Sequence, residues 1–428
     1  MNHSSSSTPS LGVTFMVFLK IGLLSFGGPA AQIALMHRML VDELNWLKEK
    51  QFLNALSFCM LLPGPEAMQL ATYAGWRLHG ILGGLIAGLL FIIPGAVVIF
   101  ALASIYAAFG DVPFVNALFL GVKAAVIVIV LEALLRVSKK ALKGAAHWVI
   151  AALAFAAIFF LDLPYPMIIV AAALYGFFLS DRTDPESEAK PVISVSPART
   201  GAMIISGLAL WLIPVFAVAP LTGIPLLGDV GLFFSKLAVV TFGGAYAVLA
   251  YMGQEVVTSL GWISAGEMMD GLGLAETTPG PLILVTQFVA FLAGTNQTGG
   301  LGLGFAAGTV ALRATFAPCF VWIFAGAPYI EWISHQPRLA GALSAISAAV
   351  VGVILNLSIW FALHVFFGAV TRNEAGVLTL WTPDLATFDW RVAAIALVSG
   401  YLALVRHMNI VAVLAIAAAL GLLLSQIA

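Results

Sequence analysis

Charged residues are scarce in this 428-residue sequence. Lys, Arg, Asp and Glu together make up 9% of the chain, whereas 61% of its residues are hydrophobic. Soluble domains carry about 25% charged residues, so this chain cannot cover a water-facing globule with polar side chains. The composition therefore excludes an ordinary soluble protein and predicts a polytopic membrane protein.

The sequence also lacks a large net charge and clusters of reactive side chains. The net charge is −1 at pH 7, which leaves no basic surface for nucleic acid. The two cysteines, Cys59 and Cys319, both lie in apolar stretches, which excludes a disulfide framework and a thiolate metal cage. The histidines are scattered, and no catalytic or nucleotide-binding motif is present. We therefore expect no metal, no cofactor and no enzymatic activity.

The hydrophobic residues are grouped in runs of about 20, the length at which a helix spans a bilayer. Between these runs the linkers are too short to fold as separate extramembrane domains. The runs predict thirteen candidate membrane segments, at residues 11–36, 51–76, 80–109, 114–135, 145–161, 165–180, 201–219, 229–252, 267–295, 300–330, 339–368, 390–405 and 408–426.

The second half of the sequence repeats motifs of the first half. Ser-Phe-Gly-Gly at residues 25–28 recurs as Thr-Phe-Gly-Gly at 241–244, and Pro-Gly-Pro at 63–65 recurs at 279–281. Both pairs are separated by 216 residues, without a gap between them. After a small insertion the offset becomes 224. Chance does not readily produce several such correspondences, so the chain contains an internal repeat.

The repeat predicts a domain organisation. We expect a first repeat at residues 1–180, a linker with a central transmembrane helix at 181–228, and a second repeat at 229–428. Six segments precede the central one and six follow it, so the second repeat enters the membrane from the opposite side. Inverted repeats of this kind are typical of secondary transporters and place the site near the midplane. Some channels share this architecture.

The basic residues bear on how the first segments of each repeat cross the membrane. Loop 37–50 carries Arg38, Lys48 and Lys50, whereas its counterpart 253–266 carries no Lys or Arg. Because basic loops stay in the cytoplasm, this difference favours segments that fold back as re-entrant hairpins at their glycine breaks. Full crossing is the alternative. The expected fold class is an all-α polytopic membrane protein with broken or re-entrant helices at Phe-Gly-Gly and Pro-Gly-Pro.

The helix interruptions predict an anion site. A helix that restarts after a break presents unpaired N–H groups and the positive end of its dipole, which favour anions. A kink explains any single break, but four breaks at matching positions favour a binding site. We expect the substrate-binding residues to be Lys20, Ser25, Gly27, Gly28, Pro63, Gly64, Pro65, Lys236, Thr241, Gly243, Gly244, Thr277, Thr278 and Gly280.

Two of these residues are lysines inside apolar runs. Lys20 and Lys236 each precede their Phe-Gly-Gly motif by the same distance. A cation at the bilayer centre costs about 2.5–3.5 kcal/mol, so such lysines usually mark a partner or a pathway. Snorkelling to the interface is the alternative for both lysines. The hydroxyls of Ser25 and Thr241 have an alternative too, because they can bond the backbone of their own helices.

Acids and amides near the breaks complete the expected site. Glu66 follows the first Pro-Gly-Pro and Glu276 precedes the second, so either could carry a coupled proton; a capping or buried structural acid is the alternative. Lys123 and Glu132 are nine residues apart in one segment and are expected to form a structural polar contact. The supporting residues around the site are Gln32, Gln69, Lys123, Glu132, Gln287 and Arg313.

The motifs also carry a resemblance to a known family. The stretches G-L-L-S-F-G-G-P-A-A-Q-I-A-L-M, W-L-K-E-K-Q-F and C-M-L-L-P-G-P-E-A-M-Q-L-A-T-Y-A-G-W resemble the N-terminal signature of the chromate ion transporter (CHR) superfamily. T-F-G-G-A-Y-A-V-L and A-E-T-T-P-G-P-L-I-L-V resemble its C-terminal half, so the chain is similar to the long, two-domain type. One departure is Gln32, at a position where histidine is expected in many members.

The resemblance implies a function that composition and spacing alone do not name. It implies efflux of chromate across the bacterial inner membrane, with resistance as the result. The charge of a dianion allows the membrane potential, a proton gradient or both to drive this export. The expected partners are chromate, the lipid bilayer and, by similarity of shape and charge, sulfate. A transporter or passive channel for sulfate or another oxyanion remains the alternative, and a homodimer remains open.

Overall fold

The residues described by this computed structural model are 9–110, 112–179, 196–242, 245–330, 336–376 and 378–426, and they are mainly helical. Part of the predicted linker, residues 181–195, lies outside them. The first seven helices are α1 Leu11–Leu24, α2 Gly28–His37, α3 Glu49–Leu61, α4 Glu66–Phe109, α5 Pro113–Ala141, α6 Ala145–Phe159 and α7 Tyr165–Leu179. The expected all-α class is confirmed by these elements together with those that follow.

The remaining elements include one small β-hairpin. The next helices are α8 Pro197–Thr222, α9 Pro225–Val240, α10 Ala245–Gln254, α11 Ala265–Thr277, α12 Val285–Gly294, α13 Gly300–Gly326, α14 Pro337–Phe366, α15 Trp390–Gly400 and α16 Ile410–Leu424. The antiparallel strands β1 Val370–Ala375 and β2 Leu378–Pro383 lie between α14 and α15, with Val370 opposite Pro383.

Five helices of the described part are long and apolar enough to cross a membrane. They are α4, α5, α8, α13 and α14. Several shorter apolar helices, including α6, α7 and α16, accompany them. Helix α8 leaves most of its apolar surface uncovered by protein, as expected of a helix in contact with lipid. The chain is therefore a polytopic membrane protein, as its composition predicts.

The repeated motifs interrupt helices at all four predicted places. Helix α1 ends at Leu24 before the first Phe-Gly-Gly, and α3 ends at Leu61 before the first Pro-Gly-Pro. In the second half, α9 ends at Val240 and α11 ends at Thr277. Helix α1 has 14 residues, which at 1.5 Å per residue is about 21 Å and shorter than the hydrocarbon core of about 30 Å. The helices before the motifs are thus too short to cross alone.

Equivalent residues of the two halves make the same local hydrogen bonds. The hydroxyl of Ser25 donates to the carbonyl oxygen of Ile21 at 2.6 Å, and that of Thr241 donates to Leu237 at 2.6 Å. A π-helical turn then follows in each half, at Arg38–Glu43 and at Glu255–Ser259. The sequence repeat at offset 216 therefore corresponds to repeated local structure.

Two glycines make the same sharp bend in the two halves. Gly80 interrupts α4 with φ 61° and ψ −149°, and Gly300 begins α13 with φ 58° and ψ −165°. This region of backbone space is essentially restricted to glycine. Each bend joins a short helix that follows a Pro-Gly-Pro motif to a long apolar helix, so the glycines set the direction of the long helices.

The two halves share one hydrophobic interior. Helix α5 packs against α16, and α14 packs against both α6 and α7. Small residues allow these close contacts: a side-chain carbon added at Gly121 would clash with the carbonyl oxygen of Ala417, and one at Gly176 would clash with that of Gly341. Close backbone approach at small residues is typical of membrane helices. Helices from both halves therefore surround the motif region.

The interruptions of the two halves are bonded to each other. The amide of Gly64 donates to the carbonyl oxygen of Thr241 at 2.8 Å, and the amide of Gly280 donates to Ser25 at 2.8 Å. Each Pro-Gly-Pro turn is thus paired with the Phe-Gly-Gly turn of the opposite half. The side chain of Gln32 adds a bond to the carbonyl oxygen of Gly280 at 2.6 Å. We call residues 25–28, 63–65, 241–242 and 279–281 the central junction.

The bend at Gly300 generates a stability prediction. Nothing lies within 4 Å of a carbon added at Gly300, so Gly300→Ala isolates the backbone strain. We expect it to lower the free energy of unfolding by about 1–3 kcal/mol, measured by denaturant unfolding in detergent micelles. Gly302→Ala is the matched control, because Gly302 is helical, exposed and equally unobstructed. A control that destabilises as much would contradict the role of the bend.

The junction generates a second stability prediction. Gln32 is 1% exposed and donates to two junction carbonyls, so Gln32→Leu leaves a buried acceptor without its donor. We expect a loss of about 1–3 kcal/mol in the free energy of unfolding, measured in the same way. The same change at the exposed Gln426 is expected to have little effect. Equal losses at both positions would show that the Gln32 bonds do not hold the junction.

Candidate functional site

The central junction is built by fitting each Pro-Gly-Pro turn against the long helix of the opposite half. The carbonyl oxygen of Pro279 lies against Gly95 of α4, where an added side-chain carbon would clash with it. A carbon added at Gly64 would lie 2.7 Å from the Sγ atom of Cys319 in α13. Gly95 and Cys319 each follow a proline inside their helix, Pro94 and Pro318. The turns therefore pack against a small residue that follows a proline in each long helix.

Hydroxyl groups predicted to bind the substrate are engaged with their own helices. Ser25 and Thr241 donate to carbonyl oxygens one turn earlier, as described above. Thr277 donates to Leu274 at 2.8 Å, and Thr278 donates to Ala275 at 3.0 Å. In this structure the four hydroxyl protons therefore point at backbone rather than at an open site.

Some backbone amides of the junction donate hydrogen bonds within the protein, and others do not. Those of Gly64 and Gly280 are used by the bonds between the halves. Helix α2 begins after Gly27 and α4 begins after Pro65, and neither start has a side-chain cap among the described residues. The first N–H groups of a helix have no partner within it. The starts of α2 and α4 are therefore partly exposed donors that remain available to an anion.

Exposure differs between the two halves of the junction. Gly27, Gly28, Pro63 and Pro65 are partly exposed, whereas residues 278–294 are all buried. Gly243 and Gly244, predicted to bind the substrate, lie outside the described residues. Among the described residues, most of the reachable part of the junction thus belongs to the first half, and Phe242 is the partly exposed residue of the second.

The two predicted lysines lie apart from the junction bonds. Both side chains are exposed, Lys20 on α1 and Lys236 on α9. Lys236 lines a polar cavity of ≈ 190 Å³, and its ammonium lies 5.6 Å from the centre of the Tyr251 ring. Over the described residues, no contact joins one lysine to the other. Their part in substrate binding stays a prediction.

The predicted proton carriers have different surroundings. Glu276 is 5% exposed and accepts a hydrogen bond from the hydroxyl of Tyr246 at 2.6 Å. The charges of Arg136 and Glu132 act on it from α5. Glu66 is only partly buried at the start of α4. Of the two acids, Glu276 is the one held in place by a partner.

The predicted supporting amides bind backbone beside the junction. Gln69 donates to the carbonyl oxygen of Pro63 at 2.7 Å, and Gln287 donates to Ala96 at 2.9 Å. Both amides are fully buried, and their Oε1 atoms have no hydrogen-bond partner among the described residues. Arg313 lies further away, at an apolar groove of ≈ 890 Å³, and donates to the carbonyl oxygen of Leu210.

One ion pair of the structure was not predicted from the sequence. Lys123 does not contact Glu132; it lies 3.3 Å from the carboxylate of Asp270, while Glu132 pairs with Arg136 at 2.6 Å. The hydroxyl of Tyr106 also donates to Asp270 at 2.7 Å. An acid within an apolar helix is itself a signal of function or pairing, and Asp270 carried that signal without a recognisable motif. The pair ties α11 of the second half to α5 of the first.

Metal ligation finds no support in the described ranges, where no group of three or more His, Cys, Asp or Glu side chains could hold an ion. The chemistry available at the junction is that of helix-start amides, carbonyl oxygens, amide side chains and the nearby acids. Helix-start amides of this kind can bind an anion.

Comparison with known proteins identifies the family. The family model described as chromate transporter matches residues 13–177 and 228–422. The chain is 30% identical over 342 residues to a protein of Synechococcus elongatus named probable chromate transport protein. The matched region covers 79% of this chain and 81% of the relative.

Two further relatives are also named chromate transport protein. A chromate transport protein of Pseudomonas aeruginosa is 34% identical over 354 residues, covering 79% of this chain and 78% of the relative. One of Cupriavidus metallidurans is 28% identical over 362 residues, covering 84% of each. No solved structure matches the chain. The family match extends over both halves of the molecule, and this chain therefore belongs to the chromate transporter family.

Proposed function

We propose that this protein is a secondary carrier that exports chromate across the bacterial inner membrane and so confers resistance to it. The observation that carries the proposal is the reciprocal pair of bonds from Gly64 to Thr241 and from Gly280 to Ser25, which joins four helix interruptions in one junction. Interruptions at the interface of two repeats are where secondary transporters bind their substrates. The names of the relatives supply the anion.

The two halves, 1–180 and 229–428, have opposite orientations in this proposal, on either side of the linker and central helix at 181–228. The basic loop 136–143 is cytoplasmic by the positive-inside rule, and the crossing predicted for segment 145–161 then places Asp162 outside. Asp162 accepts a hydrogen bond from Gln254 at 3.0 Å. Loop 253–266 is then outside as well, which supports hairpins rather than full crossings at the four interruptions.

Alternating access follows from this arrangement. Four half-length hairpins meet at the central junction, the first two from the cytoplasm and the other two from outside. An anion reaches the starts of α2 and α4 from the cytoplasmic side, near Lys20, and leaves on the side of Lys236. The junction bonds move as rigid pairs while the long helices rock around them.

Energetics favour export of a dianion. Moving one negative charge outward through an inside-negative membrane yields about 2.3 kcal/mol per 100 mV, so two charges yield about 4.6 kcal/mol. That free energy sustains roughly a thousandfold concentration ratio. A proton gradient can add to this driving force, with Glu276 or Glu66 as the group that carries the proton.

The lysine assignment makes a flux prediction. In proteoliposomes with an imposed potential, we expect Lys20→Met and Lys236→Met each to lower the chromate flux at least tenfold, because each removes a cation from the anion's path. Lys143→Met in the basic loop is the control and should retain the flux of the unmodified protein. Unchanged flux in both variants would overturn the assignment. Parallel measurements with sulfate rank the two anions.

Proton coupling makes a separate prediction. We expect Glu276→Gln to retain chromate flux driven by the potential, within about twofold, and to lose the part driven by a pH gradient alone, because the amide cannot carry a proton. Glu43→Gln, at an exposed glutamate, is the control. If neither Glu276→Gln nor Glu66→Gln changes the flux driven by the pH gradient, neither acid couples protons to transport.

A further inference from the structure

The polar cavity beside Lys236 has the features of a binding site apart from the junction. We call it the outer cavity. It lies where α9, α10 and α14 meet the turn between α6 and α7, and β1 contributes to it. Its volume is ≈ 190 Å³, which is space for several water molecules. Its lining includes Asp162, Tyr165, Lys236, Tyr251, Asn356 and Arg372.

Two donors line the outer cavity without an acid as partner in the described ranges. Asn356 is 7% exposed, lines the cavity and makes no side-chain hydrogen bond there. The Lys236 ammonium has no carboxylate within 4.0 Å; its partner is the Tyr251 side chain, through a side-chain hydrogen bond and through the ring, whose centre lies 5.6 Å away. An ammonium and an amide N–H are both hydrogen-bond donors, so both groups can donate to a ligand in the cavity.

The acids around the cavity are already engaged. Asp162 accepts hydrogen bonds from Arg372 at 2.8 Å and from Gln254 at 3.0 Å. The carboxylate of Glu255, whose charge acts on Lys236, accepts a bond from the hydroxyl of Ser259 at 3.3 Å. The groups that remain available for a ligand are therefore donors, and the ligand they suit is an anion.

The outer cavity adjoins the central junction. Tyr165, stacked on Tyr251 with ring centres 5.4 Å apart, forms one wall. The hydroxyl of Tyr165 donates to the carbonyl oxygen of Val240 at 3.2 Å. Val240 is the last residue of α9 before the second Phe-Gly-Gly turn. The wall of the cavity is thus bonded to the residue that precedes the second Phe-Gly-Gly turn.

The repeat shows what distinguishes the two ends of the path. Lys236 corresponds to Lys20 at offset 216, and Asn356 corresponds to Glu132 at offset 224. Glu132 pairs with Arg136, so the first half places a carboxylate where the second half places a neutral amide. Only the second half keeps a lysine beside an uncharged donor at this position.

From these observations we propose that the outer cavity is a subsite for a tetrahedral oxyanion of the chromate and sulfate class, held by the Lys236 ammonium and the Asn356 amide. This inference rests on the proposed function, because it treats the outer cavity as the final position that the anion occupies before it is released. Arg372 pairs with the carboxylate of Asp162 and so offsets its charge beside the bound anion.

The test measures ligand protection on the full chain in proteoliposomes. Thr258→Cys places a thiol in the cavity lining, while Cys59 and Cys319 are buried and do not compete for a membrane-impermeant maleimide. Sulfate is the probe, because chromate oxidises thiols, and chloride is the control. We expect external sulfate to slow the labelling of Thr258→Cys at least tenfold at saturation.

Variants in the same background identify the donors. Asn356→Glu reproduces the carboxylate of the first half and is expected to raise the sulfate concentration for half-protection at least tenfold. For Asn356→Gln we expect a sulfate concentration for half-protection within threefold of the parent value. Lys236→Gln removes the other proposed donor and is also expected to weaken protection by sulfate. No protection by sulfate, or equal protection in Asn356→Glu and Asn356→Gln, would overturn the subsite.

Failure of the subsite and failure of the proposed function give different results. Protection by sulfate without chromate flux in the parent protein would retain the subsite and refute chromate export. Chromate flux without protection would retain export and refute the subsite. The labelling measurement does not require transport, so the two results are obtained independently.

Discussion

The backbone hydrogen bonds between the helix interruptions are the constraint on which the rest of the molecule depends. Free amide and carbonyl groups cannot remain unpaired inside a bilayer, and four interruptions create many of them at one depth. The structure pairs them reciprocally: Gly64 bonds to Thr241, and Gly280 bonds to Ser25. Neither half can satisfy its own breaks by these bonds, so the two halves have to assemble around a shared junction, and helices such as α5 and α16 pack across it.

This pairing also determines where an anion can be held. The amides of Gly64 and Gly280 and the four nearby hydroxyls are occupied by backbone. The donors that remain are the starts of α2 and α4, together with cations that reach in from neighbouring helices. A transport site needs binding that is strong enough to select the anion and weak enough to release it. Under the proposed function, a junction in which the amides of Gly64 and Gly280 are already used suits the second of these requirements.

Charge is distributed differently at the two ends of the proposed path. The first half places Glu132 beside Arg136, whereas the second half places Asn356 in a cavity that contains Lys236. The buried pair of Lys123 and Asp270 links the halves near Tyr106. Burying one partner of such a pair without the other is strongly unfavourable, about 3–5 kcal/mol in other proteins. Equivalent positions of the duplicated sequence therefore carry different charges in the two halves.

The sequence by itself determined the membrane class, the repeat and all four interruptions, because hydropathy and Gly-Pro breaks act over a few residues and need no partner. It identified Gln32, Gln69 and Gln287 as polar groups near the breaks, but not the carbonyl oxygens they bind. Only the tertiary structure decided that the breaks pair across the halves, that Lys123 meets Asp270 rather than Glu132, and that Asn356 shares a cavity with Lys236. Those contacts join residues more than a hundred positions apart. Their distances depend on how long helices pack, which no local pattern in the chain encodes.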